Sequence, residues 1–163
     1  MRKLVVRVLA MLSVLLVTAA ALADWGVFKS DKFGFAMLVP GGTQWAAKDF
    51  GEGWGGITTK TGITEFVGIV KLGSFATPPE LEAAAVKITG IPGGNWKKVD
   101  EGQNAAGWKW WKTFEAAGNG KLLFTVLGNG PKGSYVLFLG TTEADFRANN
   151  PAYQKWYKSI TLF

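Results

Sequence analysis

The chain of 163 residues contains no cysteine and no histidine. Without cysteine it cannot form disulfides, and it cannot be a lipoprotein acylated on a cysteine after an export signal. The lack of imidazole and thiol groups excludes Ser-His-Asp and Cys-His nucleophiles and removes the usual ligands of zinc, copper and haem. What remains for chemistry is carboxylates, lysine, tyrosine and calcium bound by oxygen ligands.

The acidic residues show no pattern of a known catalytic or metal-binding motif. Neither the D-x-[DN]-x-[DN]-G calcium loop nor the G-x-x-x-x-G-K-[ST] phosphate loop occurs in the chain. Two groups, Asp49 with Glu52 and the adjacent Asp100 and Glu101, are the candidates for a hydrolase that uses a carboxylate pair. Carboxylates count as catalytic only when they share a cleft, so we expect no enzyme, no cofactor and no metal site.

The first 23 residues have the features of a secretory signal peptide. Arg2, Lys3 and Arg7 precede an apolar run that extends from Val8 to about residue 22, and small residues end it at Ala23. The run is shorter than the roughly 20 residues that a membrane span needs. We therefore predict cleavage after Ala23, a mature single domain at residues 24–163 without an integral membrane span, and a periplasmic or secreted protein.

The positive charge of the chain does not indicate nucleic-acid binding. The formal net charge is +6, and it falls to +3 once the three basic residues of the signal peptide are removed. The remaining basic residues are scattered, and Lys97-Lys98 is the only adjacent pair among them. Nucleic-acid binding requires a clustered basic stripe, so we expect no nucleic-acid partner.

Local patterns predict several strands and helices. The stretch FGFAMLVP is apolar on both faces, which is typical of a strand covered on both sides. A hairpin is predicted about Thr61-Gly62, and further strands follow Trp96, with a turn at Asn119-Gly120. The segment TPPE from Thr77 to Glu80 is a capping-box start for a helix over residues 78–89. A late helix restarts at Asn150-Pro151.

The aromatic string GWKWWK at residues 107–112 could be a ligand platform or part of the core. On a strand, Trp108, Trp110 and Phe114 share one face, which we predict to be buried, while Trp111 lies on the opposite, outer face. A ligand platform would need several exposed aromatic residues on one face with polar groups around them. Trp54 is the better functional candidate, because the segment GEGWGG reads as a loop with no regular element for its ring to pack against.

The order of these segments resembles the PsbP-like (Mog/PsbP/DcrB) domain family. The likeness is carried by FKSDKFGFAMLVPGGTQW at residues 28–45, the capped helix, AGW at residues 106–108, SYVLFLGTT and the terminal KSITLF. The resemblance implies an α+β fold in which helices flank an antiparallel sheet, an α/β/α sandwich, and a role as an accessory or binding protein. Metal sites in plant-type members use histidine, so they are not carried over to this chain.

The sequence thus predicts an exported accessory protein whose partner is an unidentified protein or envelope component. Binding is expected in the glycine-rich regions 41–56 and 91–104, because such segments commonly carry function. The alternative is a small-molecule or carbohydrate-binding protein. Its candidate binding residues are Trp45, Trp54 and Trp96.

Overall fold

The computed structural model describes residues 24–163, so the predicted signal peptide lies outside the described residues. Strands hold 54% of the described residues and helices 22%. The strands are β1 Trp25–Ser30, β2 Phe35–Pro40, β3 Ala46–Gly51, β4 Trp54–Thr61, β5 Thr64–Leu72, β6 Trp96–Ala105, β7 Trp108–Gly118, β8 Lys121–Asn129, β9 Gly133–Thr141 and β10 Thr161–Leu162. The helices are α1 Pro78–Thr89, α2 Glu143–Ala148 and α3 Asn150–Ser159, with a short 3₁₀ turn at Gly93–Asn95.

The strands form two antiparallel sheets. The small sheet has the order β1-β2-β10, and the large sheet has the order β3-β4-β5-β9-β8-β7-β6. Apart from the long crossover through α1, the large sheet is built from neighbouring hairpins. Its edge strands are therefore β3 and β6, which lie far apart in sequence.

The predicted α/β/α sandwich is wrong, because the fold is β-rich and contains a second sheet. Only α1 packs on one face of the large sheet, and the other face is covered by the small sheet together with α2 and α3. The segment WGVFKS of β1 shows no clear alternation, and β10 has two residues, so neither carries a local strand signal. Both become strands because they pair with β2.

Each face of the large sheet has its own hydrophobic core. On the α1 face, Leu81 and Ala85 of the helix pack against a group that includes Phe114, Leu127 and Val136. The second face has the larger cluster. There the fully buried Trp156 of α3 lies among aromatic residues of the sheet, with ring centroids 6.3 Å from Phe66 and 6.4 Å from Phe124. Burial of aromatic rings of this size is the main stabilising contribution in a chain without disulfides.

The prediction for β2 is correct for one face only. Phe35, Met37 and Val39 are buried in the larger core, whereas Ala36 and Leu38 on the other face are partly exposed. The strand belongs to the small sheet, which has one face on the core and one face towards solvent. A run of apolar residues therefore does not prove that both faces are covered.

The helix and the hairpins with local signals are confirmed. α1 spans Pro78–Thr89, its first turn is closed by the reciprocal capping box of Thr77 and Glu80, and Gly90 ends it with a φ of 69°. β4 and β5 pair about the predicted turn at Thr61-Gly62. The Asn119-Gly120 turn joins β7 to β8, with φ values of 54° and 73°. Within residues 24–163, none of the helices is long and apolar enough to cross a membrane.

The string GWKWWK lies at the start of β7 and is divided between the two cores. Phe114 is buried and Trp110 partly buried on the α1 face, but Trp108 belongs to the core of the opposite face, where its ring lies 5.9 Å from that of Tyr135. The predicted single stripe is therefore wrong for Trp108, the first residue of the strand. Trp111 is not on an outer face, because α3 covers that side and the Trp111 Nε1 donates a hydrogen bond of 3.0 Å to the Tyr157 hydroxyl.

Candidate functional site: a basic cleft beside β3

A cleft lies where the turn between β1 and β2 meets the hairpin of β3 and β4. The hairpin reverses direction at Gly51, Glu52 and Gly53, whose φ values are 82°, 54° and 82°. Such a left-handed backbone favours glycine, which explains two of the three residue types. The predicted loop GEGWGG is thus a tight hairpin turn followed by the first residues of β4.

Glycines of β4 form the open floor of this cleft. The volume is about 510 Å³, and Phe33, Val70 and Leu72 supply its apolar surface. Gly55 lies over Phe33, and a Cβ atom at position 55 would be only 3.6 Å from that ring. The missing side chains at Gly53 and Gly55 therefore leave a concave surface that is open to solvent.

Lysine side chains surround the cleft. Lys32 and Lys48 line it and are exposed, and Lys71 lies beside the hairpin turn, with its Cε 3.5 Å from the position of a Cβ at Gly53. The ion pairs of residues 24–163 do not include Lys32, Lys48 or Lys71, so none of them has a carboxylate oxygen within 4.0 Å there. Their positive charge is available to an anionic partner.

Two acidic residues of the hairpin lie near these lysines, and one of them, Asp49, lines the cleft. The Asp49 Oδ1 accepts a hydrogen bond of 2.8 Å from the Gly51 backbone N–H and so helps to form the turn. Glu52 accepts a hydrogen bond from Lys87 of α1, and this contact lowers the pKa of the Glu52 carboxyl below its usual value. Glu52 is therefore ionised and paired with a lysine that does not line the cleft, and the charge of Lys71 lowers its pKa to a smaller extent.

The three predicted binding tryptophans lie in different places. The partly buried Trp45 stacks on Phe28 with ring centroids 4.1 Å apart, on the side of the small sheet. The structure buries Trp54 on the α1 face, and Lys71 Nζ lies 5.8 Å from its ring centroid. Trp96 is partly buried at the other edge of the sheet, where its Nε1 donates to the Ile91 carbonyl at 3.1 Å. The structure does not bring the three together, and a binding role for them stays a prediction.

The two candidate carboxylate groups also lie apart. Asp49 and Glu52 belong to the hairpin at the β3 edge, whereas Asp100 and Glu101 belong to β6 at the opposite edge of the large sheet. In the part of the chain that the structure describes, His, Cys, Asp and Glu form no group of three that could hold a metal ion. A catalytic pair of carboxylates would therefore have to consist of two residues at the same edge of the large sheet.

Sequence reasoning identified the region 41–56 but missed the residues that complete the cleft. Lys32 and Phe33 reach it from the β1–β2 turn, and Val70 and Leu72 reach it from β5. No spacing or motif connects these residues along the chain. The one sequence signal was the density of glycine after Asp49, which indicates an exposed backbone that a partner could approach closely.

Comparisons with known proteins support the fold. No protein-family model matches the chain, and no curated protein matches its sequence. Among solved structures, the solution structure of cyanobacterial PsbP (CyanoP) from Synechocystis sp. PCC 6803 superposes with a TM-score of 0.58 at 13% sequence identity. The match covers 86% of this chain and 94% of that chain. The chain has a PsbP-like fold. At 13% identity the likeness to CyanoP shows the fold alone. The cleft is therefore described only from the residues of this chain.

Proposed function

We propose that the protein is an exported, non-enzymatic accessory protein that binds an acidic protein or envelope component through the basic cleft beside β3. The proposal is supported by the PsbP-like fold, which agrees with the accessory role that the sequence resemblance implies. The observation that carries it is the position of Lys32 and Lys48 in the lining of an open cleft, with Lys71 beside its hairpin turn.

The shape of the cleft favours a macromolecular partner over a buried small ligand. The cleft is wide and open. Its apolar residues are flanked by exposed lysines, an arrangement similar to the apolar centre and polar rim of a protein interface. The adjoining edge strand β3 is exposed over residues 46–49 and offers unpaired backbone groups beside it. An extended acidic segment would meet both the edge strand and the lysines.

The proposal is tested with a defined acidic ligand, a polyglutamate peptide, and with vesicles that contain anionic lipid. Lys32→Glu/Lys48→Glu should lower the affinity for the peptide by about tenfold or more, because two attractive charges become repulsive. The matched control is Lys97→Glu/Lys98→Glu, which makes the same change of charge on β6 at the other edge. Its affinity should stay within about twofold of the parent protein, since exposed charges farther than a Debye length, about 10 Å at 0.1 M salt, are screened.

The ligand that responds to the cleft substitutions distinguishes a protein partner from a membrane surface. Loss of peptide binding in the cleft variant alone supports the acidic protein, and loss of vesicle binding in that variant alone supports an anionic envelope component. An equal loss in both double variants would show that only net charge matters, and the cleft would not be the site. Export is checked by the mass of the protein recovered from the periplasm, which should match a chain that begins at Asp24.

A further inference from the structure

A second cavity, which we call the Tyr153 pocket, lies where the small sheet, β5 and α3 meet. It has a volume of about 250 Å³, and its lining includes the apolar Trp25, Pro40 and Phe66 and the polar Thr64, Asn149 and Tyr153. This is roughly eight times the volume of about 30 Å³ that one water takes in the liquid. The pocket is therefore the size of a single-ring molecule.

One wall of the Tyr153 pocket is apolar and aromatic. Trp25 and Phe66 meet edge to face, with ring centroids 5.8 Å apart and an interplanar angle of 84°. Trp25 pairs with Pro40 across the small sheet, which places the proline ring beside the two aromatic side chains. A ring inserted here would find the edge-to-face or stacked geometry that aromatic pairs prefer.

The polar residues of the lining belong to a hydrogen-bonded network centred on Asp145. Its Oδ2 accepts hydrogen bonds from the Tyr153 hydroxyl and, at 2.6 Å, from the Thr141 hydroxyl. The Asn149 side-chain amide donates to the other carboxylate oxygen at 2.9 Å. Asp145 itself does not line the pocket, and its negative charge is satisfied by these donors.

Two residues of this network that line the pocket keep capacity to accept a hydrogen bond. Asn149 lines the pocket and uses its N–H groups on the carboxylate and the backbone carbonyl of Asp145, so its amide oxygen is the part of the side chain that can still accept a hydrogen bond. The Thr64 hydroxyl lies 3.2 Å from the Tyr153 hydroxyl and 3.4 Å from that of Thr141, and its lone pairs can accept one more hydrogen bond. Burial and the Asp145 contact raise the pKa of Tyr153 to about 12, so the phenol keeps its proton for Asp145 at neutral pH.

We infer that the Tyr153 pocket binds a small uncharged single-ring compound that carries a hydroxyl donor, of the phenol type. The aromatic wall holds the ring, and Thr64 and Asn149 accept from its donor group. No lysine, arginine or carboxylate lines the cavity, so an ionised ligand would lose its hydration without gaining a partner. The pocket is separate from the basic cleft, with which it shares no lining residue.

Calorimetric titration of the purified protein with phenol, toluene and benzoate tests the inference. Phenol should bind, while toluene, which lacks the donor, and benzoate, which is charged, should bind at least about tenfold more weakly. Thr64→Val, which keeps the shape and removes the acceptor, should weaken phenol about fivefold or more and leave toluene unchanged. The matched control Thr58→Val lies on β4, lines a different cavity and should bind phenol like the parent protein.

A second variant tests the pocket without changing a residue of the polar network. Ala152 of α3 also lines the Tyr153 pocket, and Ala152→Leu should fill the space and abolish phenol binding while the thermal melting curve stays cooperative. The absence of saturable phenol binding to the parent protein would overturn the inference. So would equal affinities for phenol, toluene and benzoate, or phenol binding that survives both Thr64→Val and Ala152→Leu.

Discussion

The large sheet ends in β3 on one side and in β6 on the other, and these two edge strands are built differently. β6 is ten residues long, its register shifts between Lys98 and Asp100, and it carries charges of both signs. Lys98 and Glu101 pair within the strand at 3.0 Å. Bulges and charges of this kind stop an edge strand from pairing with another chain.

The β3 edge also has a bulge and charges of both signs, at Lys48 and Asp49, but these lie towards the end of the strand. It is regular and exposed over residues 46–49, its register shifts only near its end, between Asp49 and Gly51, and its Lys48 belongs to none of the ion pairs of residues 24–163. The comparison teaches that an exposed edge alone does not mark a binding surface. We expect a partner at the β3 edge, where backbone hydrogen-bonding groups and the charge of Lys48 are available.

The two sides of the large sheet also differ in what their glycines pack against. Next to β3, Gly56 faces the backbone of β5, and a Cβ atom there would lie 2.1 Å from the Gly68 carbonyl oxygen. In β6, a Cβ atom at Gly102 would lie 2.2 Å from an atom of the Trp111 ring. A backbone cannot give way without disturbing the sheet, whereas the Trp111 side chain can change its rotamer.

The largest effect is therefore expected at Gly56. Gly56→Ala should lower the free energy of unfolding by about 3 kcal/mol or more, because the methyl group clashes with backbone. Urea denaturation measures the change. The control Gly26→Ala, in the outer strand of the small sheet with no atom within 4 Å of the added methyl, should change it by less than about 0.5 kcal/mol. Equal effects of the two substitutions would contradict the difference in packing.

A smaller effect is expected at Gly102. Gly102→Ala should lower the free energy of unfolding by about 1–3 kcal/mol, because the Trp111 ring must move and loses its hydrogen bond to Tyr157. Trp111→Phe, which removes that bond without adding a methyl group, should lower it by about 1 kcal/mol. A loss for Gly102→Ala as large as for Gly56→Ala would show that the β6 edge is as rigid as the sheet interior.

The phenol of Tyr157 reports on the same contact. Burial raises the pKa of Tyr157, and the hydrogen bond from Trp111 opposes this rise. In Trp111→Phe the pKa should therefore rise further, which ultraviolet titration of tyrosine measures. Since the folded-state pKa lies above the unfolded value of 10.0, stability is lost as the pH rises above about 10 and through the folded-state pKa. An unchanged or lower pKa in the variant would contradict the assigned contact.

The smallest effects concern the ion pairs near the β6 edge. Lys112 of β7 pairs with Glu82 of α1 at 2.7 Å, and its side chain is 25% exposed, against 50% for Lys98 in the pair with Glu101. Lys112→Met should cost about 1 kcal/mol and Lys98→Met no more than about 0.5 kcal/mol, because exposed pairs are screened by water. Thermal melting of both variants at low and high salt measures this difference. A larger loss for Lys98→Met would mean that the edge pair, and not the pair to the helix, supports this side of the sheet.

Features with a local physical cause could be predicted from the sequence. α1 follows from the capping box at Thr77 and Glu80 and from Gly90, all within one short segment. The turns at Gly62 and Asn119-Gly120 follow from residues that accept positive φ at little cost. The second sheet could not be predicted in this way, because β1 and β10 are stabilised by pairing with β2 and not by their own residues.

The candidate sites depended even more on distant contacts. Trp111 was predicted to face outwards, but Tyr157 of α3, 46 residues away, closes that side of the sheet. The basic cleft needs Lys32 from one turn and Lys48 from an edge strand, and the Tyr153 pocket joins Trp25 to a helix near the end of the chain. Contacts between residues that are distant in sequence produce no pattern in the spacing of neighbouring residues.

By itself, the sequence determined which classes of catalytic and metal site this protein cannot form and where its main helix and tight turns lie. It also determined that aromatic residues must stabilise a chain without disulfides. Only the tertiary structure decided that a second sheet covers the large one, that the glycines of β4 leave a cleft between lysines, and that the two edges differ. The reason is that turns and caps depend on backbone preferences of adjacent residues, whereas clefts and edges depend on which distant surfaces become buried together.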